Sequence, residues 1–352
     1  MDTPVHIKNA AENVINNLLP TKSADRYWKQ YDLFIKWCTE NSVTIYNEYV
    51  LLAYFESKSK TLKCSTMWSI YSMLQATLNI KHNINIKNYS KLIAFLKRKN
   101  DGHVPKKSKT LEIEQVEKFI REAPDEDYLL MKTALIIGMC AACRREELTK
   151  MTIEDIQDRG DVLIITIPDN KTKKPRTSCI TEPTWIKIIQ KYKHLRPPLV
   201  QTQRFFLFYS KNRCTTQHVG IHSFGSMPSK IASFLNLDNP KSYTGHCFRR
   251  SSATVLAGHG ADITTLKRHG GWKSSTVAEG YVEDSLKAKI AIANQLTGQC
   301  NSTPQPSTSS SNADGIQPSS NVQNLQFKLS DANLPNINIS NISNCTINFN
   351  FK

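Results

Sequence analysis

Apolar side chains recur at helical spacing through the first hundred residues. Tyr27, Tyr31 and Phe34 form one stripe, Met67, Ile70, Tyr71, Leu74 and Leu78 a second, and Tyr89, Leu92, Ile93 and Leu96 a third. A further apolar segment runs from Tyr49 to Phe55. This region therefore predicts a bundle of about four helices whose aromatics are mostly core. The pattern breaks at KRKNDGHVPKKSKT, residues 97–110, which is dense in Lys and Arg and interrupted by Gly102 and Pro105. That composition reads as a linker able to run along a phosphate backbone.

A new helical pattern follows Thr110, a plausible N-cap with Glu112 and Glu114 in the first turn. It leads into LLMKTALIIGMCAAC, apolar on every face, which predicts a buried helix reaching Arg144. VLIITI at 162–167 is rich in β-branched residues, and a turn-like PDNKTKKPR separates it from a short second strand near Thr177 to Ile180. The signals after this hairpin are mostly helical to about Leu296. From Gln299 onward Ser, Thr, Asn, Gln and Pro dominate, which predicts disorder, although NINISNISNCTINFNF alternates as a strand would. The expected fold is mainly α (α+β), with a helical bundle at 1–100 and a basic linker at 101–110. A mostly helical domain with a small antiparallel sheet follows at 111–298, then a low-complexity tail at 299–352.

Charge narrows the class of partner. The chain carries 46 Lys and Arg against 30 Asp and Glu, a formal charge of +16. The charged residues from Gln299 onward, Asp314, Lys328, Asp331 and Lys352, cancel, so the excess belongs to the part before the tail. A basic folded body points to nucleic acid. The first twenty residues lack the apolar core of a signal peptide, and no run approaches the roughly 18 apolar residues of a membrane span. The expectation is an intracellular protein without a membrane partner, its nine cysteines reduced. Cys140 and Cys143 form a CxxC pair inside an apolar run with no second pair or nearby His, so packing is expected there rather than zinc.

Candidate chemistry lies in the second half. If HCFRRSSATVLAG, residues 246–258, is a helix, His246, Arg249 and Arg250 share a face while Phe248 and Val255 turn to the core. Two basic residues on a helix are ordinarily a solvated face. Here they accompany Arg144 in RREEL straight after the buried helix, the lysine-rich hairpin tip KTKKPR, and GGWKSSTVAEGY from Gly270 to Tyr281.

RxxEL at Arg144, KxxKxR at Lys171, HxxR at His246 and Arg249, and GW with Tyr281 nine residues after Trp272 resemble the catalytic motifs of the tyrosine recombinase (phage integrase) family. They occur in the family's order, with its interval of 26 residues from His246 to Trp272. The resemblance spans about residues 110–297, and the N-terminal helices resemble the family's SAM-like core-binding domain. It implies a site-specific recombinase that cleaves and rejoins double-stranded DNA through a 3′-phosphotyrosyl intermediate, without metal or cofactor. Tyr281 is then the nucleophile. An unperturbed phenol has a pKa near 10, so it needs help to lose its proton, and His246 is the natural helper. Arg144 and Arg249 would hold the non-bridging oxygens, Lys171 would protonate the leaving 5′ oxygen, Trp272 would donate its indole N–H, and Glu147 would orient Arg144 or its neighbours. Lys173 and Lys174 are adjacent alternatives to Lys171, which only the motif register selects.

Contacts to DNA are expected from Lys97, Arg98, Lys99, Lys106, Lys107, Lys109, Lys173, Lys174, Arg176 and Arg250. A homotetramer on two DNA segments is implied, with Leu286, Ile290 and Ala293 at helical spacing as a docking face. Ala142 and Cys143 stand where the family usually has Gly and Leu, and Trp272 where many members carry His. His222, His259 and His269 occupy no motif position and read as structural or surface groups. Two alternatives stay open: a domesticated DNA-binding or scaffold protein that keeps the fold, and a type IB topoisomerase-like activity. Either way the protein is expected to be DNA-associated, in the nucleus if the source is eukaryotic.

Overall fold

The computed structural model describes residues 4–168 and 175–297. Lys171, Lys173, Lys174 and the whole tail expected from residue 299 lie outside the described residues.

Among the described residues five α-helices come first, α1 (Val5–Asn16), α2 (Ala24–Glu40), α3 (Glu48–Ser59), α4 (Cys64–His82) and α5 (Ser90–Lys99), the last taking in Lys97, Arg98 and Lys99, so the basic segment leaves the helix only after Lys99. α2 to α5 carry the predicted stripes, and α1, which no periodicity announced, exposes Val5, Ile7 and Val14. Asn47 caps α3 by accepting the Val50 N–H at 3.1 Å. Glu48, in the first turn of α3, also accepts the Lys91 and Leu92 N–H groups at 2.7 and 3.2 Å, so one carboxylate satisfies the start of α5 and ties it to α3. The core beneath is aromatic. Tyr54 packs edge-to-face on Phe34, Trp37 and Phe55 at centroid distances of 5.1, 5.3 and 5.7 Å, above Leu51, Leu74, Leu78, Leu92 and Leu96.

The second core is organised around one buried helix. α6 (Ile113–Glu122) leads into α7 (Asp125–Cys140), in which Leu129, Leu130 and every residue from Lys132 to Met139 are buried. Against α7 pack α9 (Pro183–His194), α10 (Ile221–Phe234) and α11 (Cys247–Gly258). Lys132, buried inside α7, is paired with Asp125 at 2.7 Å, and Lys191 on α9 reaches the same carboxylate at 2.6 Å. Burial alone would raise the Asp125 pKa, but its two ammonium partners hold it below the ordinary carboxylate value. The basic segment is fastened at its end: Ser108 accepts the Thr244 N–H at 2.9 Å, and Leu111 N–H donates to Ser251 at 2.7 Å.

The sheet is larger than the sequence pattern suggested. β2 (Leu163–Ile167) and β3 (Arg176–Ile180) form the expected antiparallel pair, and β1 (Ile156–Asp158) adds an outer strand. A second antiparallel pair, β4 (Leu207–Ser210) and β5 (Arg213–His218), lies in a stretch expected to be helical. Lys211 and Asn212 both take positive φ, 48° and 61°, the signature of a two-residue hairpin turn. The continuous apolar FFLFY before the turn and the polar TTQH after it hide the alternation. The remaining helices are the short α8 (Arg145–Lys150), α12 (Ile263–Gly270), α13 (Ser275–Asp284) and α14 (Leu286–Leu296).

Candidate active site

Everything polar at the site starts where α7 stops. The helix was expected to reach Arg144, but it ends at Cys140. Ala142 turns into the left-handed region at φ 43°, with Cys143 N–H bonding back to Gly138 at 3.0 Å and Ala142 N–H to Met139 at 3.2 Å. This is a Schellman stop with alanine where glycine is usual. The stop leaves the carbonyls of Ala141 and Ala142 without helical partners and turns the chain so that Arg144 precedes α8.

Three guanidinium groups and one carboxylate fill that corner. Glu147 accepts the Arg144 backbone N–H at 2.8 Å and its Nη1 at 2.6 Å. Arg176, 8% exposed, donates to both Glu147 oxygens at 2.7 and 3.2 Å, to the Ala141 carbonyl at 3.0 and 3.3 Å, and to the Ala142 carbonyl at 3.2 Å. Arg249, 4% exposed on α11, donates to the Ala142 carbonyl and to the Gly270 carbonyl, both at 2.6 Å. The Ala142 carbonyl thus joins Arg176 to Arg249, and Glu147 joins Arg176 to Arg144. Three positive charges face one negative, so the buried corner keeps an excess of two. Burial, then Arg144 and Arg176, pull Arg249 down to about 10, which leaves it charged at neutral pH. Burial opposes ionisation of Glu147, yet the bonds from Arg176 and the Arg144 backbone hold its carboxyl below the ordinary range.

The aromatic side of the corner follows from Arg249. Its guanidinium lies 4.7 Å from the centre of the Trp272 ring. Trp272 in turn stacks on Tyr281, with centroids 4.8 Å apart and planes 30° apart, and the Arg250 guanidinium lies 5.7 Å from the Tyr281 ring. Trp272 is held tightly from behind: a Cβ on Gly270 would meet its ring at 2.4 Å. Tyr281 rides on α13, anchored through a small separate cluster of Ala257, Leu266 and Ala278. His246 immediately precedes α11, so it keeps the expected spacing to Arg249 and Arg250. Partial desolvation, then the field of Arg145, Arg249, Arg144 and Arg250, pulls its pKa below the ordinary imidazole value. It is therefore neutral at physiological pH, the form that accepts a proton.

Of the catalytic candidates, Arg144, His246, Arg249, Trp272 and Tyr281 gather here, with Glu147 behind them. Lys171 lies outside the described residues. Lys97, Arg98, Lys99, Lys106, Lys107 and Lys109 are exposed, and Arg250 is partly exposed beside Tyr281. Arg176 corrects the expectation that it contacts DNA: its side chain is buried and its donors are spent inside the protein. The signal that would have found this is strand alternation, which puts Arg176 on the inward face with Ile180 and opposite buried Ile167. His269, read as structural or surface, lies inside the same corner. Its Nε2 is 2.6 Å from Ser252 Oγ, which itself donates to the Met139 carbonyl, and burial, with Arg176 and Arg249 nearby, pushes its pKa down to about 4. Cys140 and Cys143 are pushed up to about 12 by burial, and among the described residues no group of His, Cys, Asp or Glu gathers as a metal site. Nor, among those residues, is any helix long and apolar enough to cross a membrane.

Residues 109–287 match the sequence model of the phage integrase family. Three solved structures share the fold. The Tn1549 transposon integrase in complex with transposon right end DNA superposes with a TM-score of 0.57 at 16% identity, over 82% of this chain and 98% of that one. The XerH site-specific recombinase in a post-cleavage complex with a palindromic difH substrate gives 0.54 at 18% identity, over 72% and 73%. A lambda integrase dimer bound to a COC′ core site gives 0.50 at 15% identity, over 79% and 94%. No curated protein sequence matches the chain. With the described residues of its motifs brought to one corner of a matching fold, the chain belongs to the phage integrase family, the tyrosine recombinases.

Proposed function

We propose that the chain is a site-specific recombinase that breaks one DNA strand by attack of the Tyr281 hydroxyl on phosphorus, forming a 3′-phosphotyrosyl bond and releasing a 5′ hydroxyl. The observation that carries this reading is the unbroken path of contacts from Arg144 through Glu147, Arg176 and the Ala142 carbonyl to Arg249, and on through Trp272 to the Tyr281 ring. Attack converts a singly charged phosphodiester into a doubly charged pentavalent transition state. The two positive charges in excess at this corner match that charge, and the burial of Arg176 and Arg249 lessens its screening by solvent. Arg144 donates to one non-bridging oxygen, Arg249 to the other once a donor leaves the Ala142 or Gly270 carbonyl, and neutral His246 takes the phenolic proton. Lys171 is assigned by motif register as the acid for the leaving oxygen. Tyr281 must rotate or slide from its stack on Trp272 to reach a phosphate held by the arginines, a movement that the small anchoring cluster of α13 favours.

Rejoining is the same step reversed by another strand's 5′ hydroxyl, which supports assembly of several protomers on paired DNA. Leu286 and Ile290, 69% and 49% exposed on α14, are the apolar face we assign to subunit contact in a tetramer. Sedimentation showing monomers alone on DNA would remove that assignment. In the same reading residues 1–100 are the core-binding domain, 101–110 the linker and 111–298 the catalytic domain. Exposed Lys97, Arg98, Lys99, Lys106, Lys107 and Lys109 then meet the backbone of double-stranded DNA, with Lys173 and Lys174 from the sequence between β2 and β3, and Arg250 lies close to the scissile phosphate. The protein works wherever that DNA resides, the nucleus in a eukaryotic cell.

The test is a pool of random-sequence nicked suicide duplexes incubated with the full chain. A covalent protein–DNA adduct is expected, lost in Tyr281→Phe while DNA affinity is retained. An adduct that survives Tyr281→Phe, or none under any condition, refutes the reading and leaves a basic DNA-binding protein of this fold.

A further inference from the structure

Arg176 closes the KxxKxR motif, yet none of the catalytic roles that the family resemblance implies falls to it, and a lysine-rich context does not account for its burial. It is a permanently charged group withdrawn from solvent, and the protein spends five hydrogen bonds on it. Taking a guanidinium out of water costs several kcal/mol before its partners compensate, and an apolar side chain of similar volume would close the same gap more cheaply. Retaining charge there needs a reason beyond packing. The partners supply one. Glu147 is shared between Arg176 and Arg144, and the Ala142 carbonyl between Arg176 and Arg249, so this one side chain touches the positioning groups of both arginines that face the phosphate. It also lies against Gly271, immediately before Trp272.

The consequences differ for the two arginines. Without Arg176, Glu147 would have Arg144 as its one cationic partner in the corner and would draw that guanidinium inward, away from a ligand. With Arg176 sharing the carboxylate, Arg144 meets it through Nη1 at 2.6 Å and its side chain stays 24% exposed. The carbonyls of Ala141 and Ala142, freed by the helix stop, would otherwise both compete for Arg249. Arg176 takes the first and shares the second.

We infer that Arg176 is a positioning residue for strand cleavage: a buried guanidinium that fixes Arg144 through Glu147 and Arg249 through the Ala142 carbonyl, without itself touching DNA. The inference rests on the recombinase reading above, and the experiment separates the two. Single-turnover cleavage is measured on a suicide duplex recovered from the random pool. The same duplex carrying a neutral methylphosphonate at the scissile position is run beside it, because an uncharged centre needs less from the arginines. Arg176→Met is expected to slow cleavage of the phosphodiester by about 100-fold with DNA affinity unchanged, and to slow the methylphosphonate by less than about tenfold. Arg176→Lys should recover thermal stability without recovering the rate, since an ammonium cannot serve acceptors on three residues in a planar fork.

Equal losses on both substrates would mean that Arg176 only supports the fold, and weakened affinity with an intact rate would mean that it contacts DNA; either overturns the inference while the recombinase reading stands. If Arg176→Met does not fold, Arg176→Lys and Glu147→Gln must show the same selective loss on the charged substrate, and wild-type rates in both would overturn it equally. A wild-type chain that forms no adduct at all takes down the reading beneath.

Discussion

The two cores of this molecule bury different things. Between α2 and α5 the interior is aromatic and aliphatic, and the one buried polar residue described there is Thr77, whose hydroxyl bonds back to Met73 within its own helix. The core around α7 buries Lys132, Glu147, Arg176 and Arg249 together with hydroxyls of Thr133, Ser251 and Ser252. Apolar packing is tolerant: its strength scales with area, and any well-shaped replacement recovers most of it. Buried charge is not, because each group needs its partner at the right distance and angle. The contrast says where the fold spends stability on geometry. The first core is held by apolar area; the second holds positive charge at a fixed place, with Arg176 and Arg249 buried.

That contrast is sharpest at Phe34, fully buried beneath Tyr54 and Tyr46. Phe34→Ala removes a ring that no neighbour can replace, and a loss of about 3–5 kcal/mol is expected in denaturant unfolding of the N-terminal helices. Because no charge network passes through it, the covalent adduct formed at saturating DNA should keep the same dependence on scissile phosphate charge as wild type. A change in that dependence would show that the first core also sets the chemistry, and the division drawn here would fail.

How much of this was legible in the sequence follows the same line. Three helical stripes, the apolar segment from Tyr49 to Phe55 and the buried α7 were readable because apolar periodicity is the direct imprint of packing. Arg144, His246, Arg249, Trp272 and Tyr281 were readable as a set through their resemblance to the family's motifs, each of which is a short local segment standing in the family's order. Arg176 was misplaced because a hairpin tip rich in lysine outweighs, in composition, the alternation that turns one arginine inward. His269 was passed over because its role lies in a bond to Ser252, seventeen residues away and on another helix. The end of α7 at Cys140 was missed because an alanine in the left-handed region leaves no mark in the sequence.

His269 gives the second way to probe the contrast, through pH. Its folded pKa of about 4 lies below the ordinary value near 6.5, so the unfolded chain binds the proton more tightly than the folded one. No penalty exists above the ordinary value; as pH falls from there toward 4 the folded state is progressively disfavoured, by roughly 2–3 kcal/mol at about pH 4.5. His269→Gln keeps a donor for Ser252 and removes the proton acceptor. Melting followed from neutral pH to about 4.5 should show wild type losing stability more steeply than the variant. Parallel curves would mean that other groups carry the acid sensitivity.

The smallest effect tests the helix stop on which the charged corner is built. Ala141 and Ala142 are neighbours, both fully buried, and they differ in backbone conformation: φ is −108° at the first and 43° at the second. A glycine at either position loses a buried methyl and gains freedom in the unfolded chain, which together cost about 1 kcal/mol. At Ala142 alone the substitution also relieves a left-handed conformation that costs a residue with a Cβ about 1–2 kcal/mol. Ala142→Gly should therefore leave the unfolding free energy within about 0.5 kcal/mol of wild type or raise it, while Ala141→Gly lowers it by about 1 kcal/mol. Equal losses at both positions would show that Ala142 is not strained. The carbonyls that hold Arg176 and Arg249 would then owe their orientation to the guanidinium groups themselves rather than to the way α7 ends.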